Sequence, residues 1–200
     1  MSYFGSTKIG RMFLGGTEIA KAYLGSDLVF QKGGQPQPVE HTAVFYLSSY
    51  DTVNKAYYSL TSVSNAYSHD LDSTANCTIN LTRGASGAET YVYFKFDTSS
   101  IPANATIVSV ECKCVCRVSN TTASNVATRT VQMTTGLTAK GSATNLTTTI
   151  TTRTLTPGDW TRAELEDARV KMYAKRGTAN INTNYTMQIR CAQLTVKYLA

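Results

Sequence analysis

The sequence predicts an all-β protein, a jelly-roll-like β-sandwich preceded by a small N-terminal β-meander arm. The first observation behind this is composition. Charged residues make up only 16% of the 200 residues, below the roughly 25% of an average soluble domain, and Thr, Ser, Asn, twelve Tyr and thirteen Gly take their place. β-Branched and aromatic side chains fit a pleated, half-buried surface, whereas Gly, Asn and Ser close turns. The second is a period of two in the apolar residues of many short segments after residue 40. The third is a repeat in the first 31 residues that carries a hairpin signal in each copy.

The repeat is ten residues long. Ile9 to Glu18 aligns with Ile19 to Leu28, and a truncated copy, Tyr3 to Lys8, lies ahead of them. An aromatic falls at 3, 13 and 23, a large apolar residue at 4, 14 and 24, and Gly at 5, 15 and 25. Each Gly-Ser or Gly-Gly pair suits a two-residue turn, because Gly accepts the positive φ of primed turns. The pattern predicts short strands in one meander, continued by Leu28 to Gln31. So short a segment buries little by itself, and Phe4, Phe13, Leu14, Tyr23, Leu24 and Phe30 would be exposed unless the arm packs on its own domain or docks on a partner or a symmetry mate, the second favoured by the tether that follows. Residues 32–40 contain Gly33-Gly34 and the prolines 36 and 38, and read as a tether between this arm and a domain over 41–200.

In that domain Ala43 to Leu47 and Ala56 to Leu60 read as strands. Cys77 to Leu81 follows, and in Thr90 to Phe96 the residues Tyr91, Tyr93 and Lys95 oppose Val92, Phe94 and Phe96. Asp97 to Ala105 reads as a loop. Ile107 to Val118 is the longest alternation, with Val108, Val110, Cys112, Cys114, Cys116 and Val118 on one face. Val126 to Thr135 and Asn145 to Leu155 are Thr-rich and read as strands near an edge. Thr161 and Glu164 have capping-box spacing and predict one helical turn anchored by Leu165, followed by a strand in which Val170, Met172 and Ala174 alternate with Lys171, Tyr173 and Lys175. Tyr185 to Tyr198 closes the domain, with a bulge near Ala192-Gln193 to keep Leu194, Val196 and Tyr198 facing inward.

No residue set points to catalysis, a cofactor or a metal, and the chain reads as a non-enzyme. Cys112, Cys114 and Cys116 stand on alternate strand positions roughly 7 Å apart, too far to share one ion easily, and read as buried thiols. His41 and His69 are the two histidines, and no nucleophile elbow accompanies them. The loop Ser68 to Ser73 carries Asp70 and Asp72, without the spacing of a calcium loop. Glu89, Asp97, Glu111 and Asp159 are available carboxylates, but their spacing singles out no pair. Tyr57, Tyr91, Tyr93 and Trp160 offer a stacking surface for a sugar, against the plainer reading of each as packing.

The net charge of +6 comes from Lys and Arg that are mostly scattered singly, the closest cluster being Lys175-Arg176. That distribution argues against a nucleic-acid interface and is compatible with an anionic surface such as a bacterial envelope. The chain holds no apolar run long enough to span a bilayer, and Met1-Ser2-Tyr3-Phe4-Gly5 lacks the features of a secretory signal, so synthesis and folding in a cytosol are expected.

The repeat, as in Tyr23-Leu24-Gly25-Ser26-Asp27-Leu28-Val29-Phe30, resembles a segment of tailed-bacteriophage virion proteins, where such units form a small module beside a β-sandwich. The remainder is similar to phage and carbohydrate-binding-type sandwiches in the run Tyr93 to Pro102, in Trp160-Thr161 followed by Leu165, and in the closing strand. The resemblance implies a virion structural protein assembled in the bacterial cytoplasm, whose residues 1–31 dock to other virion proteins. It implies a homo-oligomer with the sandwich exposed for host attachment at the tail or baseplate; the alternatives are a capsid decoration or head-fibre protein, and a non-catalytic carbohydrate-binding module.

Overall fold

The computed structural model describes residues 2–4, 7–9, 13–14, 17–24, 27–31, 38–52, 58–81, 87–119, 126–177 and 185–200. The chain divides into two compact units, Met1–Val39 and Glu40–Ala200. The predicted tether at 32–37 and Tyr57 lie outside the described residues.

In the first unit each repeat makes its own hairpin. β1 (Ser2–Phe4) pairs with β2 (Thr7–Ile9), β3 (Phe13–Leu14) with β4 (Thr17–Glu18), and β5 (Lys21–Leu24) with β6 (Asp27–Gln31). Phe4 faces Thr7, Leu14 faces Thr17 and Leu24 faces Asp27, so two residues separate the strands every time. The expected single meander is therefore replaced by three two-stranded ladders. Among the described residues each strand of the arm pairs only within its own hairpin, as a two-residue spacing between strands favours. β1 and β6 also lie side by side, which brings the two ends of the arm together.

The second unit is an antiparallel β-sandwich. Its ladder runs β13 (Thr138–Asn145), β12 (Val126–Thr135), β15 (Ala168–Arg176), β10 (Glu89–Phe96), β7 (Glu40–Thr52), β16 (Tyr185–Leu199), β11 (Thr106–Val118) and β14 (Thr151–Leu155). β9 (Cys77–Leu81) pairs with the first part of β16, and β8 (Tyr58–Thr61) pairs with β9. β7 belongs to both sheets: His41 to Tyr46 pair with β16, and Leu47 to Thr52 pair with β10. The changeover coincides with a register break, since Lys95 faces Ser49 but Phe96 faces Leu47 and leaves Ser48 over. A bulge bends a strand, and here it lets one strand turn from one sheet into the other.

β16 changes partner in the same way. Val115 faces Cys191 and Cys116 faces Ile189, so the extra residue is Arg190. The bulge expected near Ala192-Gln193 thus sits two residues earlier, and Cys191 and Ala192 are buried in succession. Val108, expected inside, is 48% exposed because a second break between Ile107 and Ser109 rotates it outward. The other alternations hold. Val92, Phe94, Phe96, Val170, Met172 and Ala174 from one sheet join Cys112, Cys114, Cys116, Met187, Ile189, Leu194 and Val196 from the other in one hydrophobic core.

One correction concerns the edge. β12 lies near an edge as expected, next to the terminal strand β13, for which the apolar pattern gives no signal, and β14 ends the ladder on the other side. The predicted Asn145–Leu155 strand is split, with β13 ending at Asn145 and β14 starting at Thr151.

The helical turn is α1 (Arg162–Leu165), closed by the expected capping box. The Glu164 backbone N–H donates to the Thr161 hydroxyl at 3.2 Å, and the Thr161 N–H donates to Glu164 Oε2 at 2.8 Å. The other oxygen, Oε1, holds Lys140 of β13 at 2.8 Å, and Leu165 is fully buried. Thr161→Ala removes one bond of the box and loosens the carboxylate that ties β13 down. The expected loss is about 1 kcal/mol, a fall of roughly 2–4 °C in Tm, measured by calorimetry.

Candidate functional site

Antiparallel pairing places alternate residues of β12, β15, β10 and β7 in rows across the outer face of one sheet. Tyr91 faces Tyr173, which faces Thr130; Asp51 faces Tyr93, which faces Lys171, which faces Gln132. In the next row Ser49 faces Lys95, which faces Arg169. The result is a cluster of three tyrosines. The Tyr91 and Tyr173 rings stack with centroids 6.3 Å apart, and Tyr91 meets Tyr93 edge-on at 6.0 Å. The Lys171 ammonium sits among all three, 5.0 Å from the Tyr173 centroid, 5.2 Å from Tyr91 and 5.8 Å from Tyr93.

Around this cluster the charges are largely paired. Asp51 holds Lys95 at 2.8 Å and Arg169 at 3.0 Å, and Arg169 also binds Asp167 at 2.6 Å. The hydrogen bond from Lys95 keeps the Asp51 carboxyl below its ordinary range. Lys175 pairs with Glu89 at 3.2 Å, and that contact lowers the Glu89 pKa. Tyr173 is pushed up to about 12, first by burial and then by the neighbouring Glu89. Lys171 differs. Among the described residues no carboxylate lies within ion-pair distance of it.

Of the residues the sequence singles out for stacking, Tyr91 is half-buried. Tyr93 is only 4% exposed, covered by Arg169 and Lys171, so it supports the face more than it offers one. Trp160 is also in the core, 6% exposed, with the Lys140 ammonium 5.3 Å above its ring. The sequence does not single out Lys171, Tyr173 or Arg169. Alternation puts Lys171 and Tyr173 on an outward face, but nothing in the chain indicates that this strand pairs with Tyr91 and Tyr93.

The arm residues occupy repeated register positions. Phe4, Leu14 and Leu24 each end a strand just before the two-residue connection, Phe13 faces Glu18, Tyr23 faces Leu28 and Phe30 faces Ala22. Leu14 is 76% exposed.

Other candidates are spent on structure. All five cysteines are free and buried. Burial pushes Cys77 and Cys191 up to about 11 and raises Cys112 further; Cys114 is raised by a hydrogen bond with the Cys116 side chain and by burial. Such thiols are protonated and unreactive at neutral pH. Asp70 accepts the Asp72 N–H at 2.8 Å as a turn, and His69 stacks on Tyr46 with centroids 4.3 Å apart. Among the described residues no three His, Cys, Asp or Glu side chains gather as a metal site requires. Glu89 and Glu111 lie on different sheets, so they do not face one cleft. A cleft of about 210 Å³ lies between Asp97, Ser99, Arg162 and Glu166. Its guanidinium is tied on one side: Arg162 Nε donates to the Ile101 carbonyl at 3.0 Å, and Nη1 makes an ion pair with Glu166 at 3.3 Å without a hydrogen bond. Among the described residues no helix is long and apolar enough to cross a membrane.

This architecture defines a class, an all-β chain with a hairpin-repeat unit ahead of a β-sandwich that carries a tyrosine-lysine face. No family model matches the chain, and no curated protein matches it either.

Proposed function

We propose that this chain is a structural protein of a tailed-bacteriophage virion, with the repeat unit docking on the particle and the sandwich exposed for attachment to the host surface. The observation that carries the reading is the threefold hairpin. One geometry is built three times within Met1–Val39, a unit too small to bury a core of its own. Repetition of an apolar strand end next to a tight turn supplies several equivalent contacts, and linked weak contacts add by effective concentration. The partners on this reading are other virion proteins and further copies of the chain, with no catalytic step.

The test is protein mass spectrometry on purified particles from the host that produces the chain, with immunogold labelling for position. The chain is expected in the particles, with label at the tail or baseplate; label on the head favours decoration instead. Leu14→Asp places a charge on an exposed apolar position of the arm and is expected to lower incorporation at least roughly tenfold. Particles free of the chain rule the proposal out.

A further inference from the structure

We infer that the outer face around Tyr91, Lys171 and Tyr173 binds an anionic glycan, the sugar ring stacking on tyrosine and its acidic group pairing with Lys171. The inference deepens the attachment reading and rests on it. Three observations carry it together.

Charge comes first. Lys95, Arg169 and Lys175 each have a carboxylate at 2.8–3.2 Å, so their charges are answered within the protein. Lys171 has none at that distance among the described residues; three ring faces hold it, and Glu89 acts on it only from beyond ion-pair distance. A cation–π contact orients an ammonium without neutralising it, so its charge remains for an external anion. A ligand acid group gains a partner there and displaces no internal salt bridge.

Geometry comes next. Tyr91 and Tyr173 face each other across two paired strands and are half-buried, not enclosed. Their stacking on one another fixes both rings in advance, so little side-chain freedom is lost on binding. Tyr is suited to sugar contact, because its ring packs on the apolar face of a pyranose while its hydroxyl hydrogen-bonds.

Composition comes last. The chain carries +6, which draws it toward a polyanion before any specific contact forms. Carboxylate and phosphate groups on glycans meet the same requirement, and the probes separate them.

The test is affinity electrophoresis of the full chain in native gels containing polygalacturonate (carboxylate), a glycerol-phosphate teichoic acid (phosphate) or dextran (neutral). Retardation is expected from at least one anionic polymer and not from dextran. Lys171→Gln is expected to weaken it at least roughly tenfold, the cost of losing a charged partner, and Tyr91→Leu roughly fivefold. Lys171→Arg keeps the charge and retains most of the binding. Lys113→Gln, on the outer face of the other sheet, removes the same charge and is expected to change little. Melting curves establish that each variant is folded; should Lys171→Gln fail to fold, Tyr91→Leu against Lys113→Gln carries the comparison.

Equal losses from Lys171→Gln and Lys113→Gln mean diffuse attraction and overturn the site. Retardation by dextran that ignores Lys171, or no retardation by any polymer, overturns it as well. A chain found in particles but not retarded removes only this face, and one retarded but absent from particles removes only the virion assignment.

Discussion

The folded domain loses stability steeply above about pH 9, and the buried thiols are the cause. An unfolded cysteine ionises near 8.5. In the native state Cys77 and Cys191 are held up to about 11, and Cys112 and Cys114 are raised as well. The folded protein therefore keeps protons that the unfolded chain has released. A raised native pKa gives stability that is full below the unfolded value and is lost as pH climbs toward the native one. For Cys77 and Cys191 that window is roughly 8.5 to 11. Each thiol contributes a slope of about 1.4 kcal/mol per pH unit, so four give roughly 5 kcal/mol per unit once all are ionised in the unfolded chain. Against a total of about 5–15 kcal/mol, that is enough to unfold the domain within one to three pH units. Circular dichroism against pH measures it, and Cys112→Ala is expected to flatten the slope by about a quarter. A thiol reagent at pH 8 is expected to find none of the five cysteines quickly in the native protein and all five in denaturant. Unchanged stability between pH 8.5 and 10.5 would contradict the account.

Gly141→Ala is expected to destabilise the sandwich by about 2–5 kcal/mol, the sum of left-handed strain and overpacking. Gly141 has φ +72°, and an added Cβ would stand 2.8 Å from Pro157 Cα and 3.1 Å from the Thr156 carbonyl oxygen. Both are backbone atoms and cannot swing away. The position is a bulge: Val131 faces Thr144 and Met133 faces Lys140, so more residues stand on β13 than on β12. Gly158→Ala separates the two causes. Its φ is +77° with nothing within 4 Å of the added carbon, so it bears only the strain, about 1–2 kcal/mol. Thermal melts are expected to show Gly141→Ala falling by on the order of 10 °C and Gly158→Ala by a few degrees. Equal shifts for the two would mean that the segment 156–157 moves aside.

Much of the fold is legible in the chain because burial leaves a period. β9 alternates cleanly, β10 and β15 do so apart from the buried Tyr93 and Arg169, and the capping box at Thr161 and Glu164 is a local bond pattern that needs no distant partner. β13 shows no such pattern: an edge strand with most side chains in solvent has no apolar period to display. The bulges at Ser48 and Arg190 are hidden for another reason. A bulge is a mismatch between two strands, and one strand alone carries no record of it.

The candidate face divides along the same line. Outward positions for Tyr91, Tyr93, Lys171 and Tyr173 follow from alternation within each strand, and that much the sequence by itself determined, together with the all-β class and the threefold repeat. Which strands adjoin was decided only in three dimensions. Pairing β10 with β15 sets Lys171 among three tyrosines, and pairing β10 with β7 gives Asp51 to Lys95 and Arg169, while on this face no described carboxylate comes within ion-pair distance of Lys171. Periodicity is a property of one segment and its exposure, whereas neighbourhood depends on register and partner choice across 74 to 86 residues of chain.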